Sequence, residues 1–428
     1  LSKTPPIQNN PFVGAGNYPA AVSYFEQRRI FAGTTNKPQN LWMTRSGTES
    51  DLSYSFPTID DDSIVFRVSA REANTIRHII PLTSLLLMTS SAEWRVTSVN
   101  TDAITPASVS VKPQSFIGAN NTQPVIINNN VIFAAARGGH MRELAYSWQA
   151  NGYSTGDLSL RAPHLFDGFT VTDLCYSKAP YPIAWAVSSS GKLLGLTYVP
   201  EQQIGAWSWH DTPGAFESVC AVAEGDEDVL YAVIKRHING ADVRYVERMQ
   251  TRAYSTQAAS FFVDSGLTYS GAPATVITGL GHLEGETVSI LGDGAVFPRR
   301  PVVGGSITLD QPVSIAHVGL QITADLYTLP LAAQLDAGFA QGRPKNVNAA
   351  FLRVYRSGGI FVGPNADNLT EAKQRTTEPY GSPPRMISEE IKVVVQNSWG
   401  TGGQVFIRQS DPLPLTVVSI TTDVTVGG

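Results

Sequence analysis

Short apolar runs separated by turn residues recur along nearly the whole chain. The pattern is clearest between Val171 and Met249, where one β-unit is written twice. The first copy reads VTDLCYS, IAWAVSSSGKLLGLTYV and WSWHDT. The second reads FESVCAVA and VLYAVIKRHINGADVRYVERM. Cys175 and Cys220 occupy equivalent places, and Ala184-Trp185-Ala186-Val187 answers Leu230-Tyr231-Ala232-Val233. Gly191 answers Gly240, each at a turn followed by another apolar strand. Such a unit has one sheet face that it cannot bury alone, and stacking on a neighbour of the same kind covers it. A period of about 45 residues with several short strands is what a propeller blade needs.

The pattern extends to both sides. Residues 1–17 are polar, with Pro and Gly, and predict an arm or linker. Residues 21–33 and 40–45 predict a strand pair, half of a blade, and residues 64–68 a further strand. Residues 76–96 predict two strands, a Ser-Ser turn and a third strand. The Ser-, Thr-, Asn- and Pro-rich span 97–123 predicts a long loop, and loops of that length usually serve binding or are disordered. Residues 124–148 predict a hairpin unit turning at Gly138-Gly139. After Ser260 the strands shorten and the turns become Gly-rich at Gly285, Gly292-Asp293-Gly294 and Gly304-Gly305. That change predicts a small inserted β domain of about five to seven short strands. Leu331, Leu335 and Phe339 fall at helical spacing, so residues 331–342 predict the one helix. Residues 347–363 return to the hairpin pattern, 364–388 predict a polar loop, and 390–428 supply final strands.

The fold class expected is therefore all-β: a β-propeller of six or seven blades with an inserted small all-β domain. Blades take residues 18–260, the insert 261–330, and residues 331–428 return to complete the propeller. Ring closure matters because an open array leaves strand edges exposed.

Composition narrows the class. Of 428 residues, 42% are hydrophobic and only 16% charged, which fits a large buried or assembled surface rather than disorder. The 37 Gly and 27 Pro suit many tight turns. A net charge of −5 argues against a phosphate-coating nucleic-acid binder. The two cysteines, at matching places, predict buried core residues rather than a bridge. Neither a signal peptide nor a membrane-spanning run is found; LTSLLLM (82–88) is far too short. The start at Leu1 rather than Met reads as an N-terminal part removed or left out.

A search for chemistry finds little. The histidines are His78, His140, His164, His210, His237, His282 and His317, and none has a close metal spacing. His210 with Asp211, after Trp207 and Trp209, reads as a strand end with aromatic packing. Asp60-Asp61-Asp62 lacks the alternating ligands of a calcium loop and reads as a solvated turn. GLGHLEG (279–285) has the wrong spacing for a dinucleotide fingerprint, so turn geometry suffices. No GxSxG elbow occurs. The repeats also lack the Ser-x-Asp-x-Gly-x-x-Trp box of sialidase-like propellers and the Trp-Asp ending of WD repeats. Arg299-Arg300 reads as solvated charge on a loop, or as a contact with an acidic partner. No catalytic, cofactor-binding or metal-ligating residue is assigned, no cofactor is expected, and the chain is expected not to be an enzyme.

A set of ordered signatures carries more. They are Tyr18-Pro19-Ala20-Ala21-Val22, Phe25 through Thr34, Asn36 through Trp42, and Ser90-Ser91-Ala92-Glu93-Trp94-Arg95-Val96. Further along come Asp173-Leu174 through Trp185-Ala186-Val187, Gly191, Leu194 through Tyr198, Glu201-Gln202, and Gly279 through Gly285 with Val288 and Asp293-Gly294. In these the chain resembles the tail nozzle, or tail tubular protein B, family of short-tailed bacteriophages. The resemblance covers most of the chain. It implies a propeller subunit with an inserted β domain, in a homo-oligomeric ring, usually six-fold, below the portal and adaptor proteins. The implied ring retains and then conducts genomic DNA without sequence-specific binding, and offers docking surfaces to tail fibres or spikes. Its implied place is the virion tail, assembled in the host cytoplasm. Family members carry a segment ahead of the Tyr-Pro signature that is missing here, and the family supplies no catalytic residues. Loops 97–123 and 364–388 are the candidates for a gate. The alternative reading is a virion-associated glycan-binding or glycan-degrading propeller protein. A third is a tail component of a longer-tailed phage, since propeller modules are reused for unrelated work.

Overall fold

The computed structural model describes residues 10–69, 72–99, 103–332, 334–335, 338–375, 377–379 and 381–427. Among them the regular structure is strand, with short 3-10 turns and no α-helix. Contacts divide the chain into two compact units. The first runs to Arg236 and takes in Arg244–Met249; the second takes in His237–Val243 and Gln250 onward.

Four antiparallel four-stranded sheets follow one another in chain order. The first sheet is Ala21–Phe25, Arg28–Ala32, Asn40–Met43 and Ile64–Arg67. The second is Ile76–Pro81, Leu85–Thr89, Glu93–Ser98 and Val109–Ser115. The third is Val125–Ile127, Asn130–Ala134, Met141–Ser147 and Gly152–Asp157. The fourth is Val171–Ser177, Ile183–Ser188, Leu193–Val199 and Ile204–His210. A fifth, three-stranded sheet is Ala215–Glu224, Glu227–Ile238 and Ala241–Arg248.

Side chains alternate across a strand, so an unbroken apolar run feeds both faces of its sheet. Leu85 and Leu87 join a core with Ile30 and Leu41 of the first sheet. Leu86 and Met88, from the same strand, join Val131 and Phe133 of the third. The third sheet's Ile132 and Ala134 meet Ala184 and Ala186 of the fourth. Ile183, Trp185 and Val187 then meet Leu230, Ala232 and Ile234 of the fifth. Each apolar run is thus a shared wall between two cores, and the five sheets stack face on face. The two sequence copies are the fourth and fifth sheets, in direct contact.

Directed hydrogen bonds tie neighbouring sheets. The Asp173 carboxylate accepts from Ser218 Oγ at 2.7 Å and Val219 N at 2.9 Å. Asp228 accepts from Lys178 N and Ala179 N. Thr122 Oγ1 and Asn120 Nδ2 both donate to the Val171 carbonyl. On the first sheet, Phe12 lies edge-on to Phe31 and Trp42, so the N-terminal arm covers part of its outer face.

Several sequence expectations are corrected. The half blade at residues 21–45 is a full sheet, because Ile64–Arg67 pairs with Asn40–Met43 across a long connection. The supposed loop 97–123 holds the strand Val109–Ser115, paired with Glu93–Ser98; residues 100–102 lie outside the described chain. Its Val109 and Val111 alternate with polar residues, a half-buried strand that a Ser/Thr-rich composition hides. The Asp triplet is not simply solvated. Asp62 is fully buried, accepts from Ser55 N and Ile59 N, and pairs with Arg45 at 3.1 Å. Buried Arg28 holds the same segment by donating to the carbonyls of Thr44, Asp60 and Asp62. Cys220 is exposed while Cys175 is only partly buried, because Cys220 alternates with core-facing Val219 on a sheet packed on one face.

In the second unit, Asp264–Thr278, Ser306–Leu320, Thr287–Gly292 and Ala295–Pro301 form one sheet in that order, over a core that includes Ile277, Leu283, Ile290 and Val318. Arg299 and Arg300 lie on a strand rather than a loop, bonded to Gln321 and Asp310 respectively. A second sheet orders Ala324–Tyr327, Phe406–Gln409, Ile360–Asn365 and Asn368–Glu371. A third sets Lys345–Val354 between Glu390–Val394 and Val417–Val426. One cluster, with Val347, Leu352, Ile360 and Ile407, serves both sheets. The expected helix at 331–342 is instead a minimal hairpin, Gln334–Leu335 with Gly338–Phe339. Residues 333, 336 and 337 lie outside the described chain. Gly338 in mid-segment costs a helix about 1 kcal/mol, and three apolar residues do not offset it.

Two substitutions test this packing. Trp185→Ala, at the wall between the last two sheets, should lower unfolding free energy by about 3–5 kcal/mol. Arg236 is almost fully buried and forks onto Glu247 at 2.6 and 2.8 Å. Arg236→Ala removes this fork together with the bonds to Thr212 Oγ1 and the Pro213 carbonyl, and should cost about 3–5 kcal/mol. Urea unfolding followed by tryptophan fluorescence reads the second, and circular dichroism the first.

Candidate functional site

The seven histidines occupy separate places, and their partners explain most of them. Buried His78 donates from Nε2 to the Asn120 carbonyl at 2.8 Å, and burial pushes its pKa down. His317 Nε2 donates to the Ala258 carbonyl at 2.9 Å while Nδ1 accepts from Thr268 Oγ1 at 2.8 Å. Burial likewise lowers its pKa, which favours the neutral ring with Nδ1 as acceptor. His282 donates to the Ser265 carbonyl. His237 pairs with Asp242 on the surface, and His164 sits in a single 3-10 turn. His210 stands 5.4 Å from the Trp185 ring, as aromatic packing at a strand end predicts, beside exposed Asp211.

His140 differs. Gly138 and Gly139, both at positive φ, turn the chain so that its ring lies between two carboxylates. Nδ1 is 2.9 Å from Asp157 and Nε2 3.3 Å from Asp167; Arg142 also reaches Asp157 at 3.4 Å. The Asp157 hydrogen bond leads in raising the imidazole pKa. This cluster pins the segment after the third sheet. Among the described residues no group of three or more His, Cys, Asp or Glu side chains is placed to hold a metal ion. GLGHLEG is a clip: Glu284 accepts from Gly304 N and Gly305 N, and Leu280 and Leu283 are buried beneath it.

A cleft of about 160 Å³ opens in the second unit. Tyr327, Val347, Pro364, Asn365, Gln396, Ser398 and Gln404 contribute side chains to it, and Gly400, Gly402 and Gly403 leave backbone at its wall. The loop 396–404 that forms much of it is held from below. Ser398 N donates to Asn346 Oδ1 at 2.8 Å, and Lys345 Nζ to the Thr401 carbonyl at 2.7 Å. Both Asn346 and Lys345 are buried. Sequence reasoning missed this site. The signal available was QNSWGTGGQ, an amide- and Gly-rich stretch read only as a break between strands.

No protein-family model matches the sequence, and no curated protein is similar to it. A solved structure of a luciferin-regenerating enzyme is similar over 54% of this chain and 88% of its own, at 11% identity and a TM-score of 0.23. The sequence-based expectation that the chain is not an enzyme is corrected on this finding and withdrawn. At that TM-score the likeness argues for no activity in its place. No helix among the described residues is long and apolar enough to cross a membrane.

The two histidine arrangements predict opposite pH responses. A raised folded pKa makes the His140 contribution present below the unfolded value of 6.5 and lost as pH rises through the folded value. A lowered one makes the His317 contribution present above 6.5 and lost as pH falls through its folded value. Thermal melts should show His140→Gln losing stability at about pH 5 but little at about pH 9. His317→Gln should show the reverse.

Proposed function

We propose that this chain is a structural subunit of a bacteriophage tail, part of a ring-shaped nozzle that retains and then conducts DNA. The observation that carries the reading is the ordered series of signatures from Tyr18-Pro19 to Gly294 along one chain. In this reading the stacked sheets are propeller blades, six or seven in the complete wheel, and the segment 261–330 is its inserted domain. The stack of similar sheets supports it, because a further layer fits on either end. The first sheet leaves Val22, Tyr24 and Val65 exposed on the face opposite its core, and the fifth leaves Val222 and Val246 exposed.

The charge balance supports a conduit. A wall of mildly acidic subunits repels phosphate, whereas each Lys or Arg contact adds salt-dependent grip on DNA. Loops 97–123 and 364–388, which hold the paired strands Val109–Ser115 and Asn368–Glu371, are the gate candidates in this reading. Ring partners are further copies of the chain, and docking surfaces serve adaptor proteins and fibres or spikes. Exposed Trp148, on a turn of the third sheet, has the character of an interface anchor.

Negative-stain microscopy with analytical ultracentrifugation tests the reading. Closed rings are expected, together with no tight binding of free duplex DNA at physiological salt. A chain that stays monomeric at every concentration, or that binds duplex DNA tightly, overturns it.

A further inference from the structure

We propose that the amide-lined cleft of the second unit is a subsite for one neutral sugar ring of a glycan. The inference does not rest on the tail reading. Its first support is the chemistry of the wall. Tyr327, Pro364, Asn365, Gln396, Ser398 and Gln404 supply an aromatic ring, an apolar ring, amides and hydroxyls, Val347 adds one aliphatic side chain, and no lining side chain is ionisable as acid or base near neutral pH. A phosphate or carboxylate finds no opposite charge among them. A purely apolar ligand would strip water from amides without replacing its hydrogen bonds. A polyol does neither, since each amide offers both a donor and an acceptor, as a pair of neighbouring hydroxyls does.

The second support is that these groups are not consumed by the fold. Gln396, the Ser398 hydroxyl and the Tyr327 hydroxyl bond to no described residue. Gln404 spends its amide N–H on the Thr328 carbonyl, which leaves Oε1 as an acceptor. Asn365 spends Oδ1 on the backbone of Asp367 and Asn368, which leaves its amide N–H as a donor. Tyr327 is 52% exposed and presents a ring against which the C–H face of a sugar stacks.

The third support is order without a ligand. Lys345 and Gly400 exchange backbone hydrogen bonds at 2.7 and 3.1 Å. Buried Asn346 fixes Ser398 and also donates to Asn348 and Asn397. A loop already held in place loses little entropy when a ligand arrives. A cleft of about 160 Å³ admits one ring, with the rest of a glycan lying outside it.

Saturation-transfer NMR on the full chain tests this, with neutral oligosaccharides of glucose, galactose and N-acetylglucosamine and a sialylated oligosaccharide as the charged arm. Transfer from at least one neutral probe is expected. It should weaken by about tenfold or more in Tyr327→Ala and in Gln396→Ala, both surface positions, and stay unchanged in Val246→Ser. Unchanged thermal melts certify that the variants fold. The proposal is overturned if no neutral probe shows transfer, if the variants match the parent, or if the sialylated probe alone binds. Ring formation is scored separately, so each reading fails on its own measurement.

Discussion

A strand that is apolar on both faces needs a core on each side of it. Ile183–Ser188 is buried at every residue, as is Leu85–Thr89. No isolated sheet satisfies such a strand, because one of its faces would meet water at roughly 25 cal/mol for each square ångström of apolar surface. The second, third and fourth sheets of the first unit therefore take their stability from both neighbours. In the first sheet, where Phe12 of the arm covers part of the face away from the core, alternation returns in the two edge strands. Ala21 is buried while Val22 is exposed; Ile64 is buried while Val65 is exposed. The exposed members of these alternating strands are the places where a further layer, or another subunit, finds apolar surface to cover.

This constraint was legible in the sequence wherever the run was continuous. IAWAVS and LLLMT are continuous apolar runs, and the correspondence of Trp185 with Tyr231 matches equivalent positions of the adjoining fourth and fifth sheets. It was illegible where pairing crosses long connections. Nothing near Ile64–Arg67 says that it completes the sheet begun at Ala21, because a register is set by partners distant in the chain. Composition also misled. The Ser- and Thr-rich context of Val109–Ser115 hides an edge strand, and Leu331, Leu335 and Phe339 imitate a helical stripe in a segment interrupted by Gly338.

Individual polar residues were harder to read than strands. Asp62 looks like its neighbours Asp60 and Asp61, yet it alone is buried, held by two backbone amides and Arg45. Spacing along the sequence carries no record of which carboxylate turns inward. The same holds for His140, whose partners Asp157 and Asp167 come from the end of the third sheet and the segment after it. The cleft of the second unit is assembled from four stretches, around Tyr327, Val347, Pro364 and Gln396–Gln404. Each stretch alone reads as an ordinary strand end or turn, and only folding makes them a surface.

The polar ties show how a stack built on nondirectional packing acquires a unique register. Apolar faces slide over one another at little cost so long as both stay covered, whereas a carboxylate aimed at two donors does not. Asp173 fixes the fourth sheet against the fifth through Ser218 and Val219, and Asp228 fixes the fifth against the loop at Lys178-Ala179. The two ties run in opposite directions across one interface, so a slip that preserved one would break the other. Asn120 and Thr122 act on the fourth sheet's first strand from the other side, through a single carbonyl at Val171. Hydrophobic burial thus gives the stack its cohesion, and a few charged or amide side chains at strand ends decide how its layers are set.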